Sequence, residues 1–311
     1  MRTSLAAPRP SANYFSVVAL RQTKLMLVHL HQHLPGLVYS SIVLFSSFAV
    51  CLLGETTRMT STTKYSTVIF DVDGVLAEVS KSYREAIILT CKHYGASSIT
   101  HDTITEWKVR GNANNDWVLS RDLILSDPNG RKDVTLQEVT ETFEEFYQGK
   151  GDTPGLYKLE TLIPDRELLL ELRKRSKGGV GIVTGRPRSD CETFLNEMNI
   201  ADLFDSCFCA GEGPSKPDPF GVLKICKDLG VEPSKGVVLI GDTPDDIRAS
   251  VAAGCSGVGV TTPESAAAEE KKGNSHTESP LSRAMIEAGA DMVLPPGFKD
   301  LLSYFEPAEE S

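Results

Sequence analysis

The stretch Thr67-Val68-Ile69-Phe70-Asp71-Val72-Asp73-Gly74-Val75-Leu76 constrains the fold of this chain more than any other. An apolar, β-branched run breaks off at two carboxylates two residues apart, and glycine follows at once. Such a run reads as a strand of a parallel sheet, covered on both faces, that delivers acids to the C-terminal edge of the sheet. Open α/β sheets bind their ligands at that edge. Alternation along the strand sends Asp71 and Asp73 the same way, so two like charges crowd one spot and require a cation to stay ionised. Mg²⁺, a hard ion that takes oxygen ligands, suits them.

The pattern repeats downstream. Val180 to Thr184, Ser206 to Ala210, Gly236 to Asp242 and Gly257 to Val260 read as further strands. They are interleaved with helical periodicity over Asp165 to Lys177, Pro187 to Asn199 and Phe220 to Leu229, and with a helix closed by Gly254. Strand and helix alternating at short spacing specify an α/β fold with a doubly wound parallel sheet, a Rossmann-like core. Between Gly74 and Leu162 the period changes. Tyr83, Ile87, Ile88 and Cys91 recur at helical spacing, Thr103 to Leu125 adds helical material around a polar loop, and Val139, Phe143, Phe146 and Tyr147 share another helical face. The organisation expected is a core over 63–79 and 162–305 with a small helical cap over 80–161. Within the core, 264–280 (ESAAAEEKKGNSHTESP) is polar and aperiodic and reads as a flexible surface insertion. Met292 to Leu294 then reads as a short edge strand and Phe298 to Phe305 as a closing helix.

Charge separates off the first 62 residues. No acid precedes Glu55, whereas Arg2, Arg9, Arg21 and Lys24 are basic, a composition similar to organelle transit peptides. Residues 37–53 (LVYSSIVLFSSFAVCLL) are uncharged and largely apolar, close to the roughly 20 residues of a membrane span. Residues 1–62 are therefore expected to be a targeting leader to a plastid or mitochondrion. A retained membrane anchor, or a cytoplasmic protein starting at Met59, are the alternatives. Membrane association is expected only through this segment. The formal charge of −10 excludes a broad grip on a nucleic-acid backbone but leaves room for a small anionic substrate. Seven irregularly spaced cysteines imply no disulfide framework, and Cys207 with Cys209 supplies only two of the four ligands of a structural zinc.

Four strand ends and loops collect the polar chemistry: Asp71 and Asp73, then Thr184-Gly185-Arg186, then Lys216 between Ser215 and Pro217-Asp218-Pro219, then Asp242 in Gly241-Asp242-Thr243-Pro244-Asp245-Asp246. A parallel sheet brings them to one rim. In order and surroundings they resemble the four motifs of the haloacid dehalogenase-like (HAD) superfamily, in its subfamily with a helical cap after the first motif, similar to phosphoglycolate phosphatases. The resemblance covers residues 65 to 305. It implies that Asp71 is the nucleophile and that Asp73 protonates the leaving oxygen and then activates water. It further implies that Thr184 and Gly185, with Arg186 beside them, hold the phosphoryl group, and that Lys216 neutralises charge. Mg²⁺ would lie against Asp71, the Asp73 carbonyl, Asp242 and the second acid of that motif, Asp246. Asp245 reads as a helix-start acid.

The implied activity is Mg²⁺-dependent hydrolysis of a small phosphorylated metabolite through an aspartyl-phosphate. A phosphomutase of the same fold, or a catalytically silent membrane-tethered binding protein, are the other readings. Substrate choice is expected in the cap, where Trp107 to Trp117 is a poor helix and a good recognition loop. Lys108, Arg110, Asn112 and Asn115 are its candidate substrate contacts. The phosphoglycolate phosphatases lack this Asn-rich run, so other sugar or amino-alcohol phosphates are open as substrates.

Overall fold

The structure is a computed structural model that describes residues 65–308. The expected leader, its apolar stretch 37–53 and Met59 lie outside the described residues. Among the described residues no helix is long and apolar enough to cross a membrane.

The chain enters the sheet through β1 (Thr67–Phe70) and leaves it through β2 (Ala77–Glu78). Four helices follow: α1 (Tyr83–His93), α2 (His101–Arg110), α3 (Asp116–Ser126) and α4 (Leu136–Gln148). A small hairpin, β3 (Gly149–Lys150) with β4 (Thr153–Pro154), leads to β5 (Thr161–Leu162). The strand–helix alternation then runs α5 (Arg166–Arg175), β6 (Val180–Val183), α6 (Arg188–Glu197), β7 (Ser206–Phe208), α7 (Phe220–Leu229), β8 (Val237–Gly241). It ends with α8 (Pro244–Ala252), β9 (Ser256–Val260), α9 (Pro263–Lys271), α10 (Pro280–Glu287) and β10 (Met292–Leu294).

Six strands form one parallel sheet in the order β10-β9-β8-β1-β6-β7. β1 is therefore interior, with Phe70 registered between Ile240 and Ile182. Alternation assigns its side chains to two separate cores. Val68 and Phe70 pack with α5 and α6, while Ile69 packs on the other face with Val222 and Ile225 of α7 and Ala249 of α8. Both faces are covered, which is why the strands are nearly all apolar.

The helices α1 to α4 stand away from the sheet. Ile87, Leu123, Val139 and Phe143 are fully buried in their shared interior, and the Tyr83 ring packs at a tilt against Tyr147 with ring centroids 4.2 Å apart. Thr100 and Thr135 start α2 and α4 with capping boxes. β2 and β5 pair antiparallel, Ala77 opposite Leu162, so the outgoing and returning chain are fastened together where this helical unit leaves the core.

Two elements differ from expectation. The stretch 264–280, expected as a flexible insertion, is ordered as α9 and a 3-10 turn at His276–Glu278. Thr262 accepts the Ser265 N–H, Pro263 occupies the first turn, and an alanine run follows, so capping and propensity make a helix without an apolar stripe. The closing segment is a 3-10 helix, Lys299–Tyr304, rather than an α-helix; it begins from Phe298 in left-handed backbone after two prolines.

Truncating Ile69, which is fully buried against α7 and α8, is expected to cost about 2–5 kcal/mol. Urea denaturation of Ile69→Ala checks this, and a loss below about 1 kcal/mol would place the residue outside a well-packed core.

Candidate active site

Asp71 is the first residue past β1, and its N–H donates to the Ile240 carbonyl at 2.9 Å, which fixes it at the mouth of the sheet. Lys216 Nζ lies 2.9 Å from Asp71 Oδ1 and 2.5 Å from Asp246 Oδ1, and donates to the Val183 carbonyl at 3.1 Å. Asp246 is set by helix capping: its Oδ2 accepts the Thr243 N–H at 3.0 Å and the Thr243 hydroxyl at 2.5 Å, closing the capping box of α8. One start signal thus places the carboxylate that anchors the lysine.

Asp71, Asp242 and Asp246 are all buried, and one carboxylate oxygen from each lies within 4.8 Å of the others. Asp71 Oδ1 and Asp246 Oδ1 are both buried and both face the Lys216 ammonium. Burial pushes the Asp71 carboxyl up to about 8; Lys216 opposes this, and Asp246, Asp73 and Asp242 add to it. Burial likewise raises Asp242 to about 7, Lys108 opposing and Asp246 reinforcing. Burial works against the Lys216 ammonium too, yet Asp246 and Asp71 hold it above its ordinary value. One lysine does not neutralise three buried acids, and the donor set is all oxygen. That is the environment a hard divalent cation takes.

The Asp73 carboxylate stands outside this cluster. Arg186 Nε and Nη2 donate to its Oδ1 at 2.9 and 2.6 Å, so each aspartate of the Asp71-Val72-Asp73 pair has its own cation. The two side chains meet different cations, where strand alternation implied one shared spot, because the strand ends at Phe70 and the backbone turns. Arg186 is 1% exposed; its Nη1 donates to Glu160 at 2.8 Å, and its guanidinium lies over the Tyr83 and Phe194 rings. It is a buried clamp on Asp73, not the substrate contact expected from sequence. Thr184 Oγ1 accepts the Arg186 N–H at 3.1 Å, and Thr184 itself is buried at the end of β6.

The loop Gly111 to Asn115 lies directly over these residues. Asn112 N–H and Asn114 Nδ2 donate to Asp245 Oδ2 at 2.6 and 3.1 Å, and Asn114 Nδ2 also reaches the Lys216 carbonyl at 3.2 Å. A Cβ on Gly185 would meet the Asn114 carbonyl oxygen at 2.7 Å, so only glycine lets the loop settle. Lys108 is mostly buried, 3.7 Å from Asp116. Burial works against its charge, and Asp116 and Asp242 hold it above its ordinary value. Asp116 Oδ1 is buried with no hydrogen-bond donor. The other expected contacts sit elsewhere: Arg110 is exposed above the Trp107 ring, the Asn112 side chain is exposed, and Asn115 caps α3 by accepting the Val118 N–H. A cavity of about 550 Å³ lies between α2 and α9, lined by Arg84, His101, Thr262 and Glu264 among others.

A family model described as haloacid dehalogenase-like hydrolase matches residues 65–254. The chain belongs to this family. A Phytophthora nicotianae protein named imidazoleglycerol-phosphate dehydratase is 44% identical over 236 residues, 76% of this chain and 51% of its own length, so the chain spans about half of it. A phosphoglycolate phosphatase of Haemophilus influenzae is 26% identical over 203 residues, 64% of this chain and 87% of that protein. A solved structure described as a predicted phosphoglycolate phosphatase from Haemophilus somnus superposes with a TM-score of 0.58 at 19% identity, covering 78% of this chain and 98% of that one. At that identity the likeness speaks for the fold.

In this HAD hydrolase the sequence motifs singled out Asp71, Thr184, Lys216 and Asp242, and the Asn-rich run drew attention to its asparagines, but Asp116, Glu160 and the docking role of Asp245 carried no signal of their own. Asp245 and the Asn-rich loop were each conspicuous alone; their pairing across more than a hundred residues has no local signal.

Two outcomes follow from the geometry. Because the Asp71 and Asp242 carboxyls are raised, the cation-free folded protein holds more protons than the unfolded chain from the ordinary carboxylate range up to about 8. Its stability therefore falls as pH rises through that window, and a divalent cation that displaces those protons should raise Tm more near pH ~8 than near pH ~6. Thermal melts with and without Mg²⁺ test this; an equal gain at both pH values contradicts it. Asp245→Ala removes the acceptor of two loop donors, worth about 1.5–3 kcal/mol for bonds to a charged group. Limited proteolysis should then cut the Gly111–Asn115 loop at least about tenfold faster.

Proposed function

We propose that this HAD hydrolase is a Mg²⁺-dependent phosphatase acting on a small phosphorylated metabolite through an aspartyl-phosphate on Asp71. The observation that carries the reading is the placement of Asp73: Arg186 takes only its Oδ1 and leaves Oδ2 for proton transfer beside the Asp71 nucleophile. A phosphate ester needs such a group, because its leaving oxygen departs as an alkoxide unless it is protonated.

In this reading Asp71 Oδ attacks phosphorus in line with the ester oxygen, and Lys216 offsets the charge that gathers on the nucleophile and the phosphoryl oxygens. Asp73 gives its proton to the leaving oxygen. It then takes one from the water that opens the acyl phosphate, restoring Asp71. Arg186, pinned by Glu160 and packed between two rings, keeps Asp73 in one rotamer through both transfers. Thr184 and the Gly185 N–H hold phosphoryl oxygens. Asp71, Asp242 and the Asp73 carbonyl would hold Mg²⁺, with Asp246 fixing Lys216; the bound ion supplies charge neutralisation for the transferring group.

The helical unit over 80–161 serves as the cap. Its loop, latched to Asp245 and to the Lys216 carbonyl, shuts water out of the chamber. Lys108 and Asp116 are the cap side chains that face the leaving group. An ammonium beside a carboxylate lacking a donor suits a hydroxyl- or amine-bearing alcohol, in keeping with a sugar or amino-alcohol phosphate.

The test is phosphate release from a panel of small phosphate esters, with and without Mg²⁺, beside Asp71→Asn. Release is expected only with the ion, and the variant should retain less than about one part in 10³ of it. Lys108→Ala should raise KM for the preferred ester about tenfold while changing the ranking of esters. Isomerisation of a sugar phosphate with no net release would turn the reading to a mutase.

A further inference from the structure

We propose that the cavity between α2 and α9 is a binding site for an α-amino-acid group, with Arg84 receiving the carboxylate and Glu264 the ammonium. The group belongs either to a free amino acid or to the leaving group of a phosphate ester; only the second source rests on the phosphatase reading above. The cavity, about 550 Å³, has the size of a small-molecule site and lies at the seam between the helical unit and the core. Arg84 comes from α1, His101 and Thr105 from α2, and Glu264 from the first turn of α9. Buried Arg84 and Thr262 mark its inner end, and exposed Glu106 and Arg110 its mouth. That inner end adjoins the acid cluster, since a Cβ on Gly74 would meet the side chains of both Thr262 and Asp242.

Arg84 is the incomplete partner. Its side chain is only 7% exposed, yet among the described residues its guanidinium makes one hydrogen bond, from Nη1 to the Thr105 hydroxyl at 3.0 Å. Its Nε and Nη2, the edge that can grip a carboxylate with two parallel bonds, have no such acceptor among those residues. Glu264 Oε2 stands 3.7 Å from Nη1, beyond hydrogen-bond length, and Glu264 Oε1 lies nearer to His101, 3.0 Å from its Nδ1. A guanidinium keeps its charge at any working pH. Burying it with a single neutral acceptor is costly, and the open space beside it is where an anionic group would complete it.

An anion alone does not fit. Glu264 stands beside Arg84 and Glu106 lines the same cavity, so a lone carboxylate or phosphate would meet acids as well as the guanidinium. A ligand with an ammonium next to its carboxylate answers both: the carboxylate takes the Arg84 fork and the ammonium lies against Glu264. An α-amino-acid group carries its two charges on neighbouring carbons, which matches a cation and an acid whose nearest atoms are 3.7 Å apart. Val109 and Leu281 add apolar surface to the cavity wall for the rest of the molecule.

Isothermal titration calorimetry on the full chain tests both sources. The wild-type chain is titrated with the common free amino acids. The Asp71→Asn chain, which cannot form the aspartyl-phosphate, is titrated with O-phospho-L-serine, phosphoethanolamine and 3-phosphoglycerate in the presence of Mg²⁺. Phosphoethanolamine lacks the carboxylate and 3-phosphoglycerate the ammonium. The expected result is a free amino acid that binds, or phosphoserine binding at least about tenfold tighter than both counterparts. Glu264→Gln and Arg84→Gln should each weaken that ligand at least about tenfold. Glu264 is partly exposed, so its variant gives an answer even if the buried Arg84 cannot be replaced without unfolding. No binding by any free amino acid together with no preference for phosphoserine overturns the proposal, as does a bound ligand that Glu264→Gln leaves unchanged. Phosphate release by the wild-type chain is measured separately: failure of the phosphatase reading shows as no release from any ester and leaves the free amino-acid titrations standing.

Discussion

The contact on which the site depends is the Lys216 ammonium lodged between Asp71 and Asp246. Three buried acids at the mouth of a parallel sheet repel one another, and this one ammonium opposes the rise that burial imposes on the Asp71 carboxyl. Its geometry draws on three separate parts of the chain. β1 delivers Asp71, the capping box of α8 delivers Asp246, and the Val183 carbonyl at the end of β6 takes the lysine's remaining hydrogen bond. A local rule of helix initiation and a global rule of sheet topology therefore meet on one nitrogen atom.

A second cation, Arg186, does for Asp73 what Lys216 does for Asp71. It is the more buried of the two: Glu160 from the end of the helical unit, Asp73 from the first loop, and two aromatic rings surround it. Because Glu160 also accepts from Ser82 and Tyr147, the clamp is tied to both the outgoing and the returning chain of that unit. Asp73 is thus oriented by the helical unit itself.

Much of this was legible in the sequence, for identifiable reasons. The interior strands β1, β6 and β8 are covered on both faces, so they appear as unbroken apolar runs, and the polar residues at their ends stand out. The helical unit was legible as a change of period from strand to helix. What the sequence could not convey was which polar side chains find each other. Arg186 sits beside Thr184-Gly185 and reads as a phosphate contact, but its burial between Tyr83 and Phe194 depends on packing across the chain. Asn115 and Asn112 look like ligands in an Asn-rich run; one caps a helix and the other offers only its backbone N–H. At 264–280 the missing apolar stripe hid a helix whose caps and alanines were enough.

The double use of Lys216 has a kinetic consequence. Its ammonium holds Asp71 while its own backbone carbonyl receives Asn114 from the overlying loop. Both ends are already seated, so in the proposed phosphatase an occupant too bulky for the latched loop would unsettle both ends of that residue at once. Discrimination between good and poor occupants would then be written into turnover rather than into affinity, and a poor fit would bind and wait instead of being refused.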